Sequence, residues 1–153
     1  MPHVRRYFAD RFTHLLVDEF QDTDPIQAEV LLLLTADDPG EKDWRRCRPR
    51  PGSLIVVGDP KQSIYRFRRA DIVTYGQVKE IIRSNGGLVV ELSTNFRSAR
   101  PILDWVNAVF SPQFPPAANE FSPAYVALAP DPERPAGDKS PPIEKLMAPP
   151  PRL

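Results

Sequence analysis

Leu15-Leu16-Val17-Asp18-Glu19-Phe20-Gln21-Asp22-Thr23 places two adjacent carboxylates directly after a short apolar segment. The apolar residues predict a buried strand of a parallel sheet, because such a strand is covered on both faces and needs no polar alternation. Ligands of open α/β sheets bind beyond the carboxyl ends of the strands. Asp18 and Glu19 are therefore expected in a crevice, where one carboxylate can hold Mg²⁺ and the other can orient or deprotonate an attacking water. The alternative is a solvated pair of acids that marks only a turn.

Two more apolar segments also run directly into polar loops. Leu54-Ile55-Val56-Val57 leads into the loop Gly58–Arg68, and Leu88-Val89-Val90-Glu91-Leu92 leads into Ser93–Ser98. Each apolar segment predicts a further buried strand. Three parallel strands would deliver their polar loops to the same edge of the sheet, so residues distant in sequence are expected to form one site.

These stretches resemble motifs II, III and IV of the UvrD-type superfamily-1 DNA helicases. The matching segments are Val17–Thr23, Val57–Arg68 and Leu92–Ser98. Part of the second motif has a sequence most similar to that of the RecB and AddA nuclease-helicase subunits. That part is Asp59-Pro60-Lys61-Gln62-Ser63-Ile64-Tyr65-Arg66-Phe67-Arg68. The three motifs follow one another in the family's order between about Tyr7 and Phe110. The resemblance implies an α/β fold, namely part of a RecA-like P-loop NTPase domain with a parallel sheet and flanking helices.

The resemblance also implies roles in ATP hydrolysis for several side chains. Asp18 would hold the Mg²⁺ of Mg-ATP, and Glu19 would be the catalytic base. Gln62 would sense the γ-phosphate and couple it to the DNA-binding loops. Phe96 would stack on adenine, and Arg97 would contact the γ-phosphate as an arginine finger.

Single-stranded DNA contacts are implied for Tyr65, Phe67 and Arg68. Phe67 would be the stacking platform, with a sequence-tolerant contribution of about 1–3 kcal/mol per base, and Arg68 would add charge near the backbone. A merely solvated basic loop is the alternative, but aromatic residues interleaved with arginines favour DNA contact.

One position departs from the family's usual wording. The family generally reads Arg-Gly-Ala-Asp after the aromatic residue, whereas this chain reads Arg68-Arg69-Ala70-Asp71. Glycine is favoured where φ is positive or where another chain passes close to the backbone. Arg69 therefore either strains this loop or adds a phosphate contact, and the sequence leaves both interpretations open.

A nucleotide hydrolase of this type needs a glycine-rich loop that ends in Gly-Lys-Ser or Gly-Lys-Thr, whose amides and lysine hold the phosphates. None of the seven glycines is followed by lysine. The chain is therefore expected to be an internal piece of an ATP-dependent DNA helicase, of the 3′-to-5′ kind that unwinds DNA in recombination and repair, and to be inactive alone. Two alternatives stay open: a non-catalytic single-stranded DNA-binding module on a helicase scaffold, and a truncated reading frame without function.

The proline distribution predicts a change of organisation after Phe110. Of the 19 prolines, 12 lie between Ser111 and Leu153. Residues 1–110 are expected to form the C-terminal part of the first motor domain and to run into the motif IV hinge. Residues 111–153 are expected to be a proline-rich, poorly structured connector and the start of the second motor domain. Two short apolar patches in it, Tyr125–Leu128 and Ile143–Leu146, are candidate strands with partners outside the chain.

Three helices are predicted between the strand loops. They cover about residues 25–34, 71–83 and 100–110, with Asp24 as the cap of the first and Pro25 in its first turn. The segment Asp37–Gly52 is predicted to be a polar loop. The residues expected to face inward are Ile26, Val30, Leu33 and Leu34 on the first helix and Ile102, Val106, Val109 and Phe110 on the third.

The formal net charge is zero, which argues against a protein that wraps nucleic acid by overall basic charge but not against a helicase with a local DNA groove. The densest positive run, Arg45–Arg50, is favoured as a solvated loop, with phosphate contact as the alternative.

Cys47 is the only cysteine, so no intrachain disulfide can form, which is typical of a cytoplasmic protein. No apolar stretch is long enough to span a membrane. The expected partners are DNA, ATP with Mg²⁺ and, as an open question, a nuclease-helicase partner subunit.

Overall fold

The computed structural model describes residues 2–119 and 122–133, which form a mixed α/β chain with two short parallel sheets. The helices are α1 (Pro2–Arg11), α2 (Pro25–Thr35), α3 (Ile72–Ser84) and α4 (Arg100–Phe110). The strands are β1 (Leu15–Val17), β2 (Leu54–Val56), β3 (Thr94–Asn95) and β4 (Ala129–Pro130). None of the described helices is long and apolar enough to cross a membrane.

The described residues form two compact units. The first unit comprises residues 2–90 with 118–119 and 122–123, and the second comprises residues 91–117 with 124–133. The assignment of residues 1–110 and 111–153 to two motor domains stays a prediction. Most of the proline-rich tail lies outside the described residues.

β1 and β2 lie side by side in parallel, with Leu16 opposite Ile55 and Val17 opposite Val56. Side chains alternate between the two faces of a strand. Val17, Leu54 and Val56 pack against the core, whereas Leu16 is 74% exposed and Ile55 is 48% exposed. The prediction of strands covered on both faces is therefore wrong, because within the described chain the core packs against one face of this sheet.

The predicted third strand, Leu88–Leu92, is not a strand. Its side chains Leu88, Val90 and Leu92 are exposed. A strand exists only where a neighbour completes its ladder of hydrogen bonds, and no described segment pairs with this one. The apolar run alone therefore does not produce a strand here.

The second sheet pairs β3 with β4 inside the second unit. The sequence predicts a strand at Tyr125–Leu128 with a partner outside the chain. The strand instead lies directly after that segment, at Ala129–Pro130, and its partner lies within the chain. Asn107 on α4 holds the preceding segment, because its Oδ1 accepts hydrogen bonds from the Tyr125 hydroxyl (2.8 Å) and the Leu128 amide (2.9 Å). The other predicted patch, Ile143–Leu146, lies outside the described residues.

Side-chain caps fix the starts of α2 and α3 and confirm both predicted positions. The Asp24 carboxylate accepts a hydrogen bond from the Gln27 amide (2.8 Å), and the Gln27 side chain accepts one from the Asp24 amide (3.0 Å). Asp71 accepts in the same way from the amides of Val73 (3.1 Å) and Thr74 (3.2 Å). Partial burial raises the pKa of the Asp71 carboxyl, but hydrogen bonds from the Thr74 hydroxyl and from these two amides lower it by more, so the pKa lies below its usual value.

The buried face of α2 differs from the predicted one. Its buried residues are Ala28, Leu32 and Thr35, one helical stripe. Ile26 is 64% exposed and Val30 is 48% exposed, so their predicted burial is wrong. The two other residues expected inward, Leu33 and Leu34, are partly buried. Because branched apolar residues occupy every side of this helix, periodicity alone does not select the buried stripe.

α4 begins at Arg100, as predicted, and its most buried residue is Leu103. Three of the residues expected inward are partly buried, namely Ile102, Val106 and Val109. Phe110 is 39% exposed, so its predicted burial is wrong. It is the last residue of α4, where the chain turns into a 3-10 helix and no longer follows the buried face of α4.

The segment predicted as a polar loop, Asp37–Gly52, contributes two residues to the core. Trp44 is 6% exposed and Cys47 is 2% exposed, and a 3-10 turn brings both inward. Burial raises the pKa of the Cys47 thiol. Arg45 and Arg46 stay largely exposed, and each lies within 4 Å of a carboxylate of the same loop, which agrees with the solvated loop favoured from the sequence.

Two arginines cap the C-terminal end of α2. Arg5, on the helix α1 that the sequence does not reveal, donates through Nε to the Leu33 carbonyl (2.8 Å). Arg50 donates to the carbonyls of Leu34 (3.3 Å) and Ala36 (3.0 Å). The last carbonyls of a helix lack partners within the helix and carry partial negative charge, so two guanidinium groups stabilise this end.

Three hydrogen bonds join the loops that follow β1 and β2. The Phe20 amide donates to the Val57 carbonyl (2.9 Å), and the Asp59 amide donates to Oε1 of Gln21 (2.9 Å). The Ser63 hydroxyl donates to the Gln21 carbonyl (3.2 Å). The two loops are therefore held as one unit at the carboxyl edge of the first sheet.

Gly58 lies where these two loops come closest. A Cβ atom at this position would lie 2.7 Å from Oε1 of Gln21 and 3.1 Å from the amide nitrogen of Phe20. The 2.7 Å contact is too short for unstrained atoms and the 3.1 Å contact is tight, so a side chain at this position would displace Gln21 or the backbone of Phe20.

We expect Leu32→Ala to lower the free energy of unfolding by about 2–5 kcal/mol, because truncation of a fully buried leucine leaves a cavity. Ile26→Ala on the same helix is the matched control, and its effect should stay below about 0.5 kcal/mol because the side chain is largely exposed. Urea unfolding of both variants measures the difference. If Ile26→Ala lowered the free energy of unfolding more than Leu32→Ala, the buried face predicted from the sequence would be correct.

We expect Gly58→Ala to destabilise the first unit by about 1–3 kcal/mol, because the new methyl group displaces Gln21 or the backbone of Phe20. The control is Gly76→Ala within α3, where a Cβ atom meets nothing within 4 Å. That change should stabilise by about 0.5–1 kcal/mol through helix propensity. Urea denaturation compares the two, and equal effects would show that the loops do not meet at Gly58.

Candidate functional site

Asp18 and Glu19 follow β1 at its carboxyl end, and both are exposed. Oδ1 of Asp18 accepts a hydrogen bond from the Glu19 amide (2.8 Å). Glu19 has φ 51° and ψ 40°, in the left-handed region. A residue other than glycine is strained there by about 1–3 kcal/mol, and such residues cluster at functional sites. The two carboxylates thus stand on a strained turn beyond the strand.

The buried side chain of Gln21 holds the Glu19 carboxylate in place. Nε2 of Gln21 donates to Oε2 of Glu19 (2.6 Å), while Oε1 of Gln21 accepts from the Asp59 amide (2.9 Å). Oε1 of Glu19 has no hydrogen-bond partner in the described part of the chain. A carboxylate fixed at one oxygen and open at the other can accept a proton at a defined position.

A cavity of about 600 Å³ borders these carboxylates. It is lined by the turn after β1 and by one side of α2, including Asp22, Ile26 and Val30. Oδ1 of Asp22 is buried and has no hydrogen-bond partner within the described residues. Unsatisfied buried oxygens are rare, and a cation or a water satisfies them.

The oxygens around this cavity fit Mg²⁺, which takes oxygen ligands and is commonly held by one or two carboxylates together with phosphate and water. Asp18 is exposed at the cavity wall, and Asp22, whose buried Oδ1 is unsatisfied, lines the same cavity. No group of three or more His, Cys, Asp or Glu side chains converges on a metal position among residues 2–119 and 122–133. A magnesium ion here would therefore take its remaining ligands from phosphate and water.

Asp59 organises the loop that follows β2. Its carboxylate lies 2.9 Å from the Lys61 ammonium and accepts a hydrogen bond from Nε2 of Gln62 (3.2 Å). Partial burial raises the pKa of this carboxyl, but the hydrogen bonds from Lys61 and Gln62 lower it by a larger amount. The pKa therefore lies below its usual value. Asp59 thus contacts both Gln21, through its amide, and Gln62, through its carboxylate.

Tyr65, Phe67 and Arg68 lie together in one tight turn. The rings of Tyr65 and Phe67 are 5.7 Å apart between centroids, and the Arg68 guanidinium lies 5.6 Å from the centre of the Tyr65 ring. Phe67 is 81% exposed. A planar ring with this much exposure to solvent has a free face on which a base can stack.

The chain leaves this turn through Arg69, whose φ of 69° and ψ of 13° are left-handed. Ala70, which follows, is buried. Glycine adopts this conformation without strain, whereas an L-residue with a side chain does not. Of the two interpretations that the sequence leaves open for Arg69, the backbone supports strain, and strain does not exclude a phosphate contact.

Phe96 and Arg97 belong to the second unit. Oδ1 of Asn95 accepts hydrogen bonds from the amides of Arg97 (2.9 Å) and Ser98 (2.8 Å), so the end of β3 turns sharply. Phe96 is 71% exposed, and Arg97 is exposed as well. The turn therefore presents an aromatic ring and a guanidinium group side by side to solvent.

The sequence predicts the charged and aromatic side chains of the site but misses the residues that hold them. Gln21 fixes Glu19, Asp59 contacts Gln62, and Asn95 shapes the turn that carries Arg97. One signal was available for each of them. They are polar residues one to three positions away from a predicted site residue, and side-chain hydrogen bonds to nearby groups are common for the shorter of them, Asp59 and Asn95.

Comparison with known proteins agrees with the motifs. The family model of the UvrD/REP helicase N-terminal domain matches residues 1–82. An ATP-dependent helicase/nuclease subunit of Listeria welshimeri is 36% identical over 110 residues, which cover 70% of this chain and 8% of that protein. The protein of the same name from Exiguobacterium sibiricum is 35% identical over 119 residues, which cover 77% of this chain and 9% of that protein.

The protein of this name from Bacillus cytotoxicus is 38% identical over 110 residues, again 70% of this chain and 8% of the relative. The chain thus spans less than a tenth of the length of these relatives. The resemblance to UvrD-type helicases, and to the AddA- and RecB-like subunits among them, is confirmed. Because the family model covers more than half of its residues, the chain belongs to the UvrD/REP helicase N-terminal domain family.

Proposed function

We propose that the chain is an internal segment of an ATP-dependent DNA helicase or helicase–nuclease subunit, with part of a RecA-like P-loop NTPase domain. The observation that carries this proposal is the buried amide of Gln21, which connects the Glu19 turn to the Asp59 loop. It joins the turn that carries Glu19 to the loop that carries Gln62, the two groups from separate motifs to which this proposal assigns roles in ATP hydrolysis. The relatives, named ATP-dependent helicase/nuclease subunits, support the same reaction. The phosphate-binding loop would come from another part of a longer protein, and the chain alone would not turn over ATP.

In this proposal the carboxylate turn performs the hydrolytic chemistry. Asp18 binds the Mg²⁺ of Mg-ATP, which neutralises phosphate charge when it is bound. Glu19 orients the attacking water and accepts its proton at Oε1, the oxygen that Gln21 leaves open. The strained backbone of Glu19 supports this role, since strain of this kind is retained where a side chain must point in one direction.

Gln62, Phe96 and Arg97 complete the nucleotide site in the longer protein. Gln62 leaves Asp59 to contact the γ-phosphate, and this exchange of partners passes the nucleotide state to the neighbouring DNA-binding turn. Phe96 stacks on adenine and Arg97 stabilises the transferring phosphoryl group. The exposure of both side chains leaves them able to do so.

The turn that carries Tyr65, Phe67 and Arg68 would contact single-stranded DNA. Phe67 offers its ring to a base, and Arg68 contributes charge while it lies against Tyr65. In the longer protein, movement of this turn with ATP binding and release would shift the strand past Phe67 and drive unwinding in the 3′-to-5′ direction that the resemblance implies.

A second candidate function is a non-catalytic module that binds single-stranded DNA on a helicase scaffold. One observation favours it. The whole turn from Tyr65 to Ala70 lies within the first unit, where Ala70 is buried and anchors it. DNA binding by this turn would then need no nucleotide and no other part of a longer protein.

We expect Glu19→Gln, in a longer protein that carries this chain together with a phosphate loop, to lower DNA-stimulated ATP turnover by about 10²- to 10⁴-fold, because the amide cannot accept the proton. ATP affinity should change less than about twofold, since the substitution removes an interaction that acts in the transition state. Turnover assays and equilibrium nucleotide binding measure the two effects.

The matched control for this experiment is Glu80→Gln on α3, an exposed glutamate that pairs with Arg83 away from the site. Its turnover should equal that of the unchanged protein. Near-normal turnover of Glu19→Gln would overturn the assignment of the base.

We expect Phe67→Ala to weaken binding of the 153-residue chain to a fluorescent oligothymidine by about 5- to 150-fold, the equivalent of one lost stacking contact of about 1–3 kcal/mol. Fluorescence anisotropy at fixed salt measures the affinity. Tyr7→Ala on α1 is the control, because it removes an aromatic ring that is 60% exposed from a different surface. Equal affinities of the Phe67→Ala and unchanged chains would remove Phe67 from the DNA site.

A further inference from the structure

Arg69 is in a conformation that its residue type disfavours. Among the described residues, Glu19 and Arg69 are the two with positive φ that are not glycine. Glu19 stands in the proposed catalytic turn, where strain serves the direction of a carboxylate. Arg69 carries a long side chain at a position whose left-handed backbone glycine would adopt more easily.

The backbone around Arg69 fixes this conformation. The Arg69 amide donates to the Arg66 carbonyl (2.9 Å), and the Ala70 amide donates to the Tyr65 carbonyl (3.3 Å). Ala70 is 4% exposed. The turn is therefore anchored on its far side by a buried residue, and Arg69 cannot relax its φ without releasing that anchor.

The Arg69 side chain gains nothing from the rest of the described chain. Arg68 lies over the Tyr65 ring, and Arg66 interacts electrostatically with Asp71. Arg69 is exposed, and its side chain has no hydrogen bond, ion pair or ring partner within the described residues. A contact within the described chain thus does not account for an arginine at this position.

We propose that Arg69 contacts the phosphate backbone of single-stranded DNA bound at the Phe67 turn, an inference that rests on the proposed DNA contact of that turn. The guanidinium group is two residues from the ring on which a base would stack. Arg68 already lies over the Tyr65 ring, whereas Arg69 has no side-chain partner in the described chain. Guanidinium binds phosphate through paired, charge-assisted hydrogen bonds. In this chain an added phosphate contact offsets a strained backbone.

The proposal predicts opposite effects of one substitution on stability and on binding. Arg69→Gly should raise the urea midpoint of the chain, because relief of the left-handed strain exceeds the added freedom of glycine in the unfolded state. The same variant should bind oligothymidine about threefold to tenfold more weakly. Its slope of log affinity against log salt should be shallower by about 0.7, the value for one lost phosphate contact on a single strand.

Two further variants separate charge from strain. Arg69→Lys keeps the charge, so its salt slope should equal that of the unchanged chain. Arg69→Ala removes the charge and keeps the positive φ. It should therefore lose as much DNA affinity as Arg69→Gly, but its urea midpoint should not rise. Arg11→Ala, at the exposed end of α1, removes one positive charge from elsewhere and should leave the salt slope unchanged.

The outcomes distinguish this inference from the proposed function. If Phe67→Ala weakens binding while Arg69→Gly leaves affinity and salt slope unchanged, Arg69 is a solvated arginine and the inference is wrong, although the DNA site stands. If Phe67→Ala has no effect, or the unchanged chain does not bind oligothymidine, the inference and the DNA contact proposed for this turn are both wrong. A fall in the urea midpoint of Arg69→Gly would also overturn the inference, because the arginine would then stabilise the fold.

Discussion

The side-chain amide of Gln21 is buried and makes hydrogen bonds in two directions, to the Glu19 carboxylate and to the Asp59 amide. A buried amide without partners would be destabilising by about 1–3 kcal/mol, so these contacts constrain both loops at once. Gly58 allows the close approach that the contacts require. The positions of Glu19 and of the Asp59 loop, which carries Gln62, therefore depend on a residue that has no chemical role of its own in the proposed reaction.

The sheet that supports this site has only two strands of three residues each, which is too little to be stable alone. Stability comes from the elements around it. α2 and α3 cover one face, Trp44 and Cys47 fill the core from a polar loop, and two arginines neutralise the end of α2. Residues from at least four separate segments thus support strands that contribute few hydrogen bonds themselves.

Local signals predict much of this fold, whereas features that depend on distant partners escape them. The caps of α2 and α3 follow from Asp24 and Asp71, because a cap is decided within four residues. The segment Leu88–Leu92 has the composition of a strand but no described neighbour to pair with. In the site, motif wording predicts Asp18, Glu19 and the aromatic turn, but it cannot show that Gln21 is buried between two loops or that the backbone of Arg69 is strained.

Cys47 gives the first unit a built-in chemical reporter. It is the only cysteine in the chain, it is 2% exposed, and its burial raises the pKa of the thiol. The thiolate is the species that attacks an alkylating reagent, so both access and ionisation limit the reaction while the core is closed. The rate of labelling at Cys47 therefore follows the opening of the core between α2 and the Trp44 turn. Nucleotide or DNA that tightens this unit would slow the labelling, without any engineered probe.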